Sequence, residues 1–263
     1  MRKSRPSHAP ARLPGKDLRK PTTPRIAAID AIRGGALLMM IFYHLGFDLN
    51  YLGWIHYDIN DDPRWLAARA LILGSFLTIV GASLALAEIQ QKDLQQKLLR
   101  TGKIAAAAVL VTAGSWIFLP GWTIYFGALH AIALMSFVVL LQPLQTWLAG
   151  LLGLVAIGLG NSYSHPVFDF PGLAWLGLMT HKPQTLDYVP MMPWFGVCLI
   201  GYAAAKLSIR QQPSENPAKQ SRATLTLAWL GRHTLAIYLL HQPLILGILI
   251  PVTHLLGSAH SKS

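Results

Sequence analysis

The stretch DAIRGGALLMMIFYHLGFDL, residues 30–49, sets four charged or imidazole side chains within a membrane-like run of apolar residues. These four are Asp30, Arg33, His44 and Asp48. On an α-helix, at ~100° per residue, they fall within roughly 60° of one another on a single face. A charged side chain that faced lipid would cost ~2.5–3.5 kcal/mol on insertion scales. We therefore expect this face to point into a protein interior or a water-filled cavity.

Composition places the chain among polytopic membrane proteins. Hydrophobic residues make up 53% of its 263 residues and charged residues only 13%, whereas about a quarter of the residues in soluble domains are charged. A helix that spans a bilayer needs ~20 mainly apolar residues, which predicts an all-α, polytopic integral membrane helix bundle of about seven transmembrane helices. The predicted spans are residues 26–47, 65–87, 104–119, 126–142, 147–161, 189–207 and 234–256.

The net charge of +11 is explained by membrane topology. With the N-terminus inside, the predicted cytoplasmic side carries 17 Lys and Arg and the outer side three, as the positive-inside rule requires. No nucleic-acid partner is expected, since the basic residues form no aromatic-interleaved surface. The predicted divisions are a disordered basic cytoplasmic tail over residues 1–24, a transmembrane domain over residues 25–257 and a short C-terminal tail over residues 258–263.

The two polar pairs of the first span suggest different uses. His44 and Asp48 are spaced i and i+4, so their side chains are expected to touch. A carboxylate beside an imidazole raises its basicity and fixes its tautomer, which suits a general base. Asp30 and Arg33 are spaced i and i+3 and are expected to neutralise each other at the inner end. For both pairs the alternative is a structural ion pair that steadies helix packing.

Three further polar residues are predicted to lie at the same outer depth as His44 and Asp48. Arg69 is near the outer end of the second span, His130 opens the fourth, and Asp187 precedes the sixth. A shared site on the outer side follows as a hypothesis. Each residue also has a structural alternative, such as a hydrogen bond from His130 to a backbone carbonyl of a neighbouring helix.

Four blocks of the sequence carry a family resemblance. They are RIAAIDAIRGGALLMMIFYH at 25–44, YFGALHAIAL at 125–134, DYVPMMPWFGVCLIG at 187–201 and GRHTLAIYLLHQP at 231–243. In this order they resemble the heparan-α-glucosaminide N-acetyltransferase catalytic-domain family of bacterial membrane proteins, over roughly residues 25–256.

The resemblance implies a multi-pass acyltransferase of the bacterial inner membrane. Such an enzyme would take an acetyl group from cytoplasmic acetyl-CoA and deliver it to a sugar amine or hydroxyl of an envelope glycan or glycolipid. In animal members the acceptor is the terminal glucosamine of heparan sulfate. Those members have Asn at the position of His44, and their functional histidine aligns nearest His56. The catalytic histidine is therefore open between His44 and His56, and the polar face of the first span favours His44.

This implied activity gives the outer residues expected roles. His44 would act as general base, with Asp48 orienting it. His130 or Arg69 would contact the developing oxyanion or the acceptor. The residues expected to bind the acceptor are Arg69, Asp187, His56 and Trp194, although Trp194 could instead anchor the chain at the bilayer interface.

Other residues are expected to bind acetyl-CoA from the cytoplasmic side. Arg33, paired with Asp30, and Arg232 are placed to meet the CoA phosphates. His241 is predicted about two turns into the last span from the cytoplasm, where it would contact the pantetheine arm.

Several alternatives stay open at this point. A transporter or exporter would use the same polar face as a translocation path. A metal site at His44, Asp48 and His130 is chemically allowed, but no compact motif of metal-ligand spacing supports it, and no metal is expected. Direct transfer and an acetyl-histidine intermediate are equally compatible with the residues. The lipid bilayer and the acceptor glycan are the expected partners, and the sequence leaves a homo-oligomer open.

Overall fold

The computed structural model describes residues 27–59, 61–119, 121–209 and 221–260, and its regular secondary structure is helical with no β-strand in those ranges. The helices are α1 (Ala27–Tyr51), α2 (Pro63–Ile89), α3 (Leu94–Phe118), α4 (Ala128–Leu141), α5 (Thr146–Ser162), α6 (Met191–Ile209), α7 (Arg222–Arg232) and α8 (Thr234–His260). Two short 3₁₀ helices, Pro166–Asp169 and Pro171–Leu176, lie between α5 and α6. The predicted all-α membrane bundle is confirmed.

Each predicted span coincides with one helix. By length and composition, α1, α2, α3 and α8 are four helices able to cross a membrane. The apolar helices α4 and α5 are shorter, with 14 and 17 residues. The total of seven spans and the cytoplasmic N-terminus stay predictions. The predicted tail over residues 1–24 lies outside the described residues, whereas the one over residues 258–263 begins inside α8, which continues to His260.

Two helical segments differ from the predicted spans. Helix α7 lies within a predicted cytoplasmic loop, and its start is capped by Ser221, whose Oγ accepts the N–H of Thr224 at 3.1 Å. With 11 residues it is too short to be recognised as a span. Helix α3 begins at Leu94 rather than residue 104 because polar residues extend it beyond its apolar part.

Glycines allow α6 to pack closely against α2. A Cβ on Gly81 would lie 1.9 Å from the carbonyl oxygen of Cys198, and one on Gly201 would lie 2.3 Å from that of Thr78. The backbones of α2 and α6 are therefore in direct contact. In lipid, where apolar surfaces gain little by leaving the solvent, such close van der Waals packing is a main source of helix association.

The same device joins α7 to α1. A Cβ on Gly34 would lie 2.0 Å from the carbonyl oxygen of Leu227, and one on Gly231 would lie 1.8 Å from that of Asp30. The end of α7 is thereby held against the first turns of α1, next to Arg33.

A cluster of apolar residues joins the start of α8 to α3 and α4. Ala107 and Ala108, in the middle of α3, are buried with Leu129 of α4, and Leu235 and Leu239 of α8 pack on them. The first turns of α8 therefore lie against the middle of α3.

Apolar side chains cover the outer surface of the bundle. Leu110 of α3, Leu154 of α5 and Ile248 of α8 are each 64% exposed. Soluble monomers rarely present large continuous apolar surfaces to water. Contact with lipid is the environment that suits these faces.

We predict that Gly81→Ala lowers the thermal unfolding temperature of the detergent-solubilised protein, because the added methyl group would push α6 away from α2. The expected cost is roughly 1–3 kcal/mol, as for other overpacked interiors. Gly114→Ala, in α3, is the matched control, since a Cβ there meets nothing within 4 Å. Equal unfolding temperatures for the two variants would contradict close α2–α6 contact.

Candidate functional site

At the start of α1, Arg33 is held by three helices. Its Nη1 donates to Asp30 Oδ1 at 2.7 Å and to the carbonyl of Gly231 at 3.5 Å, and its Nη2 donates to Ser83 Oγ at 2.6 Å. Asp30 and Ser83 are both buried. The expected Asp30–Arg33 ion pair is thus present, with partners on α2 and α7 that the sequence did not indicate.

Farther along α1, Asp48 is held by α8 rather than by His44. The carboxylate is 2% exposed, and Gln242 Nε2 donates to Oδ1 at 2.8 Å and to Oδ2 at 3.0 Å. Within the described residues, the expected hydrogen bond between His44 and Asp48 is not formed. An amide from the neighbouring helix satisfies both carboxylate oxygens and takes that place.

His44 instead pairs with a second imidazole. Its ring centroid lies 5.0 Å from that of His241, with the planes tilted by 58°. The sequence placed His241 toward the opposite side of the membrane from His44. The two meet because α8 packs against α1, with His241 at the level of His44.

The tautomer of His241 is determined by its own helix. Its Nδ1 lies 2.6 Å from the carbonyl oxygen of Tyr238, and because a carbonyl can only accept, Nδ1 carries the hydrogen in the neutral ring. The Nε2 atom is then a hydrogen-bond acceptor. It is buried and has no hydrogen-bond partner among the described residues.

Tyr238 connects this imidazole pair to the start of α4. Its hydroxyl donates to Asp187 Oδ2 at 3.0 Å, and the N–H of Ala128 donates to the same oxygen at 3.1 Å. Asp187 is exposed as a whole residue. Removal of water from around its carboxyl group raises the pKa of that group above the ordinary value, and the two hydrogen bonds lower it by less. A carboxylate at a helix N-terminus is also favoured by the helix dipole.

His130 lies in the same region, and both of its ring nitrogens are in use. The hydroxyl of Thr112 donates to the carbonyl of Ile124 at 2.7 Å. Because its hydrogen is used there, Thr112 Oγ1 accepts the N–H of His130 Nε2 at 3.1 Å. His130 Nδ1 accepts the N–H of Gly127 at 3.2 Å. This arrangement favours the structural alternative for His130, which ties the start of α4 to α3.

The remaining predicted residues are dispersed. Arg69 is exposed on α2. Partial burial lowers the pKa of the Lys182 ammonium, and the positive charge of the nearby Arg69 lowers it further. His56 is exposed in the loop after α1, and Arg232 is exposed at the end of α7. Trp194 packs against the buried cluster between α2, α4 and α6 rather than facing an open surface.

Tyr238 and Gln242 are the site residues that the sequence reasoning missed. With His241 they are spaced i, i+3 and i+4, so all three lie on one face of α8. The segment YLLHQ at 238–242 contained this signal, since three polar side chains share a face within a span. In the described part of the chain, no group of three His, Cys, Asp or Glu side chains is placed to hold a metal ion.

We predict that His130→Ala lowers the thermal unfolding temperature, because the change removes hydrogen bonds to Thr112 and Gly127, at a cost of about 1–3 kcal/mol. Thr112→Val should have a similar effect, and the double variant should cost less than the sum of the two. His254→Ala is the control, an exposed histidine on α8. Strict additivity would contradict a shared hydrogen-bond network.

A family model described as heparan-alpha-glucosaminide N-acetyltransferase, catalytic, matches residues 25–243. The match runs from α1 through the whole polar segment 238–242 of α8, and so includes every group of the site described above. The chain has no significant match among curated proteins or among solved structures. From the match over most of its length, the chain belongs to the heparan-alpha-glucosaminide N-acetyltransferase catalytic family and has a transmembrane acetyltransferase-like function.

Proposed function

We propose that this protein moves an acetyl group from acetyl-CoA on the cytoplasmic side of a bacterial inner membrane to a sugar amine or hydroxyl of an envelope glycan or glycolipid. The observation that carries the proposal is the imidazole pair of His44 and the buried His241, which meet between α1 and α8 in a chain of this family. An acyl transfer needs a group that accepts a proton at the reacting centre, and imidazole serves this purpose near neutral pH.

In the proposed reaction, the acceptor nitrogen or oxygen bonds to the carbonyl carbon of the acetyl group while the carbon–sulfur bond of the thioester breaks. The proton lost by the acceptor passes to His44. The sulfur leaves as the CoA thiolate and takes up that proton from His44, which restores the neutral imidazole. The products are the acetylated sugar and free CoA.

His44 is the histidine best placed for this role. Among the described residues its ring makes no hydrogen bond, so its nitrogens are available to a substrate, whereas both nitrogens of His130 are occupied. His56 remains the alternative, but it is exposed in a loop and apart from the imidazole pair. Asp48 acts on the site by holding Gln242.

On the donor side, Arg232 is proposed to meet the phosphates of CoA. It is exposed at the end of α7, whereas the guanidinium of Arg33 already donates to Asp30 and Ser83. On the acceptor side, Arg69 and Asp187 are proposed to contact sugar hydroxyls or the amine.

We predict that purified protein in detergent slowly releases free CoA from acetyl-CoA by transferring the acetyl group to water, and that His44→Ala reduces this turnover about 100-fold or more, the usual range for loss of a general base. His254→Ala is the matched control on α8 and should keep wild-type turnover. Free CoA is measured with a thiol reagent.

The same assay separates the rival assignments. Loss of turnover in His56→Ala with full turnover in His44→Ala would move the base to His56. A wild-type protein that neither turns over nor binds acetyl-CoA would contradict the acetyltransferase and favour a transporter.

We predict that the N-terminus is cytoplasmic, and two exposed glutamines test this topology: Gln95 at the start of α3 and Gln184 before α6. Gln184→Cys in intact cells should react with an impermeant maleimide, and Gln95→Cys should react only after the membrane is permeabilised. The native Cys198 is buried and will not interfere. The reverse labelling pattern would contradict the cytoplasmic N-terminus.

A further inference from the structure

Two buried acceptor atoms between α1 and α8 have no hydrogen-bond partner. They are His241 Nε2 and Gln242 Oε1, the only buried side-chain nitrogen or oxygen atoms without such a partner among the described residues. His241 is 7% exposed as a whole residue. Because the two residues are consecutive in the sequence, both atoms without a hydrogen-bond partner belong to one site.

The chemical character of both atoms follows from their neighbours. His241 Nδ1 must donate to the Tyr238 carbonyl, so Nε2 presents a lone pair. Gln242 must direct its amide nitrogen at Asp48, because two carboxylate oxygens lie 2.8 and 3.0 Å away, so Oε1 presents lone pairs on the other side. Both atoms therefore require a donor, and neither can supply one.

Leaving such groups unmatched is costly. A buried polar atom without a hydrogen bond destabilises a folded protein by about 1–3 kcal/mol, and most proteins pair more than about 90% of such groups. A site with two unpaired acceptors at adjacent residues is suited to a ligand that carries hydrogen-bond donors.

We propose that His241 Nε2 and Gln242 Oε1 form a binding site for N–H groups of a ligand that enters between α1 and α8. This inference rests on the proposed function, which supplies two ligands of that chemistry. The pantetheine arm of acetyl-CoA carries amide N–H groups, and the acceptor sugar carries an amine. Because His44 lies 5.0 Å from His241, ring centroid to ring centroid, a bound N–H group is held beside the proposed base.

Two neighbours keep the acceptors oriented. Tyr238 holds the His241 ring through its backbone carbonyl, and Asp48 holds the Gln242 amide. These are positioning residues, since they act on the ligand only through the two acceptors.

The test uses the full-length protein in detergent and two probes, CoA and glucosamine. His241→Phe keeps a ring of similar size without the acceptor, and Gln242→Met keeps the length of the side chain without the amide. His254→Phe makes the first of these changes elsewhere on α8. Dissociation constants are measured by titration calorimetry, and the unfolding temperature of each ligand-free variant is measured alongside.

Loss of one hydrogen bond should weaken binding about tenfold. Weaker binding of CoA assigns the N–H groups to the pantetheine arm, and weaker binding of glucosamine assigns them to the acceptor amine. His241→Phe removes an unmatched acceptor and should leave the unfolding temperature of the ligand-free protein nearly unchanged, whereas Gln242→Met also removes the donor to the buried Asp48 carboxylate and should lower it. His254→Phe should bind both probes as the wild type does.

The inference is overturned if both variants bind both probes within about threefold of wild type, less than the loss of one hydrogen bond. It is also overturned if both variants fail to fold, which would give the pair a structural role. If only one variant folds, its dissociation constants decide. If the wild-type protein binds neither probe, the proposed function is contradicted as well. If the wild type binds the probes and both variants bind them equally well, only this inference is contradicted.

Discussion

A charged group inside an apolar helix bundle is stable only when another polar group holds it, and this requirement determines which helices lie against α1. Arg33 needs acceptors beyond its own helix, and α2 supplies the hydroxyl oxygen of Ser83 while α7 supplies the carbonyl of Gly231. Asp48 needs a donor, and α8 supplies Gln242. Because each unpaired charge would cost several kcal/mol in the interior, the polar face of α1 selects its three neighbours.

Short distances between helices make these partnerships geometrically feasible. The carbonyl of Gly231 reaches Arg33 because Gly34 and Gly231 let α7 approach α1 to backbone contact. A larger side chain at either glycine would separate the two helices and remove that oxygen from reach. The glycine contacts and the polar contacts are therefore parts of one arrangement, the first providing proximity and the second providing specificity.

The elements of this fold were predictable from the sequence where one segment alone determines them. The spans follow from apolar length, and the shared face of Asp30, Arg33, His44 and Asp48 follows from helical periodicity. Contacts between helices were not predictable, because one sequence does not state which faces meet. Local spacing therefore suggested Asp48 as the partner of His44, while an amide on another helix holds that carboxylate.

Depth in the membrane was the other quantity that sequence could not supply. The predicted position of His241 assumed that the last span begins at the bilayer edge, whereas its first turns pack against the middle of α3. The short helix α7 was missed because hydropathy recognises segments of about 20 apolar residues.

Helix α8 also has a mechanical consequence. Tyr238 and His241 are separated by three residues, less than one helical turn, yet one contacts Asp187 in the segment before α6 and the other lies against His44. A rotation of α8 by one residue, ~100°, would change both contacts together. The contact with Asp187 and the imidazole pair are therefore joined through a single turn of α8, without passing through the rest of the bundle.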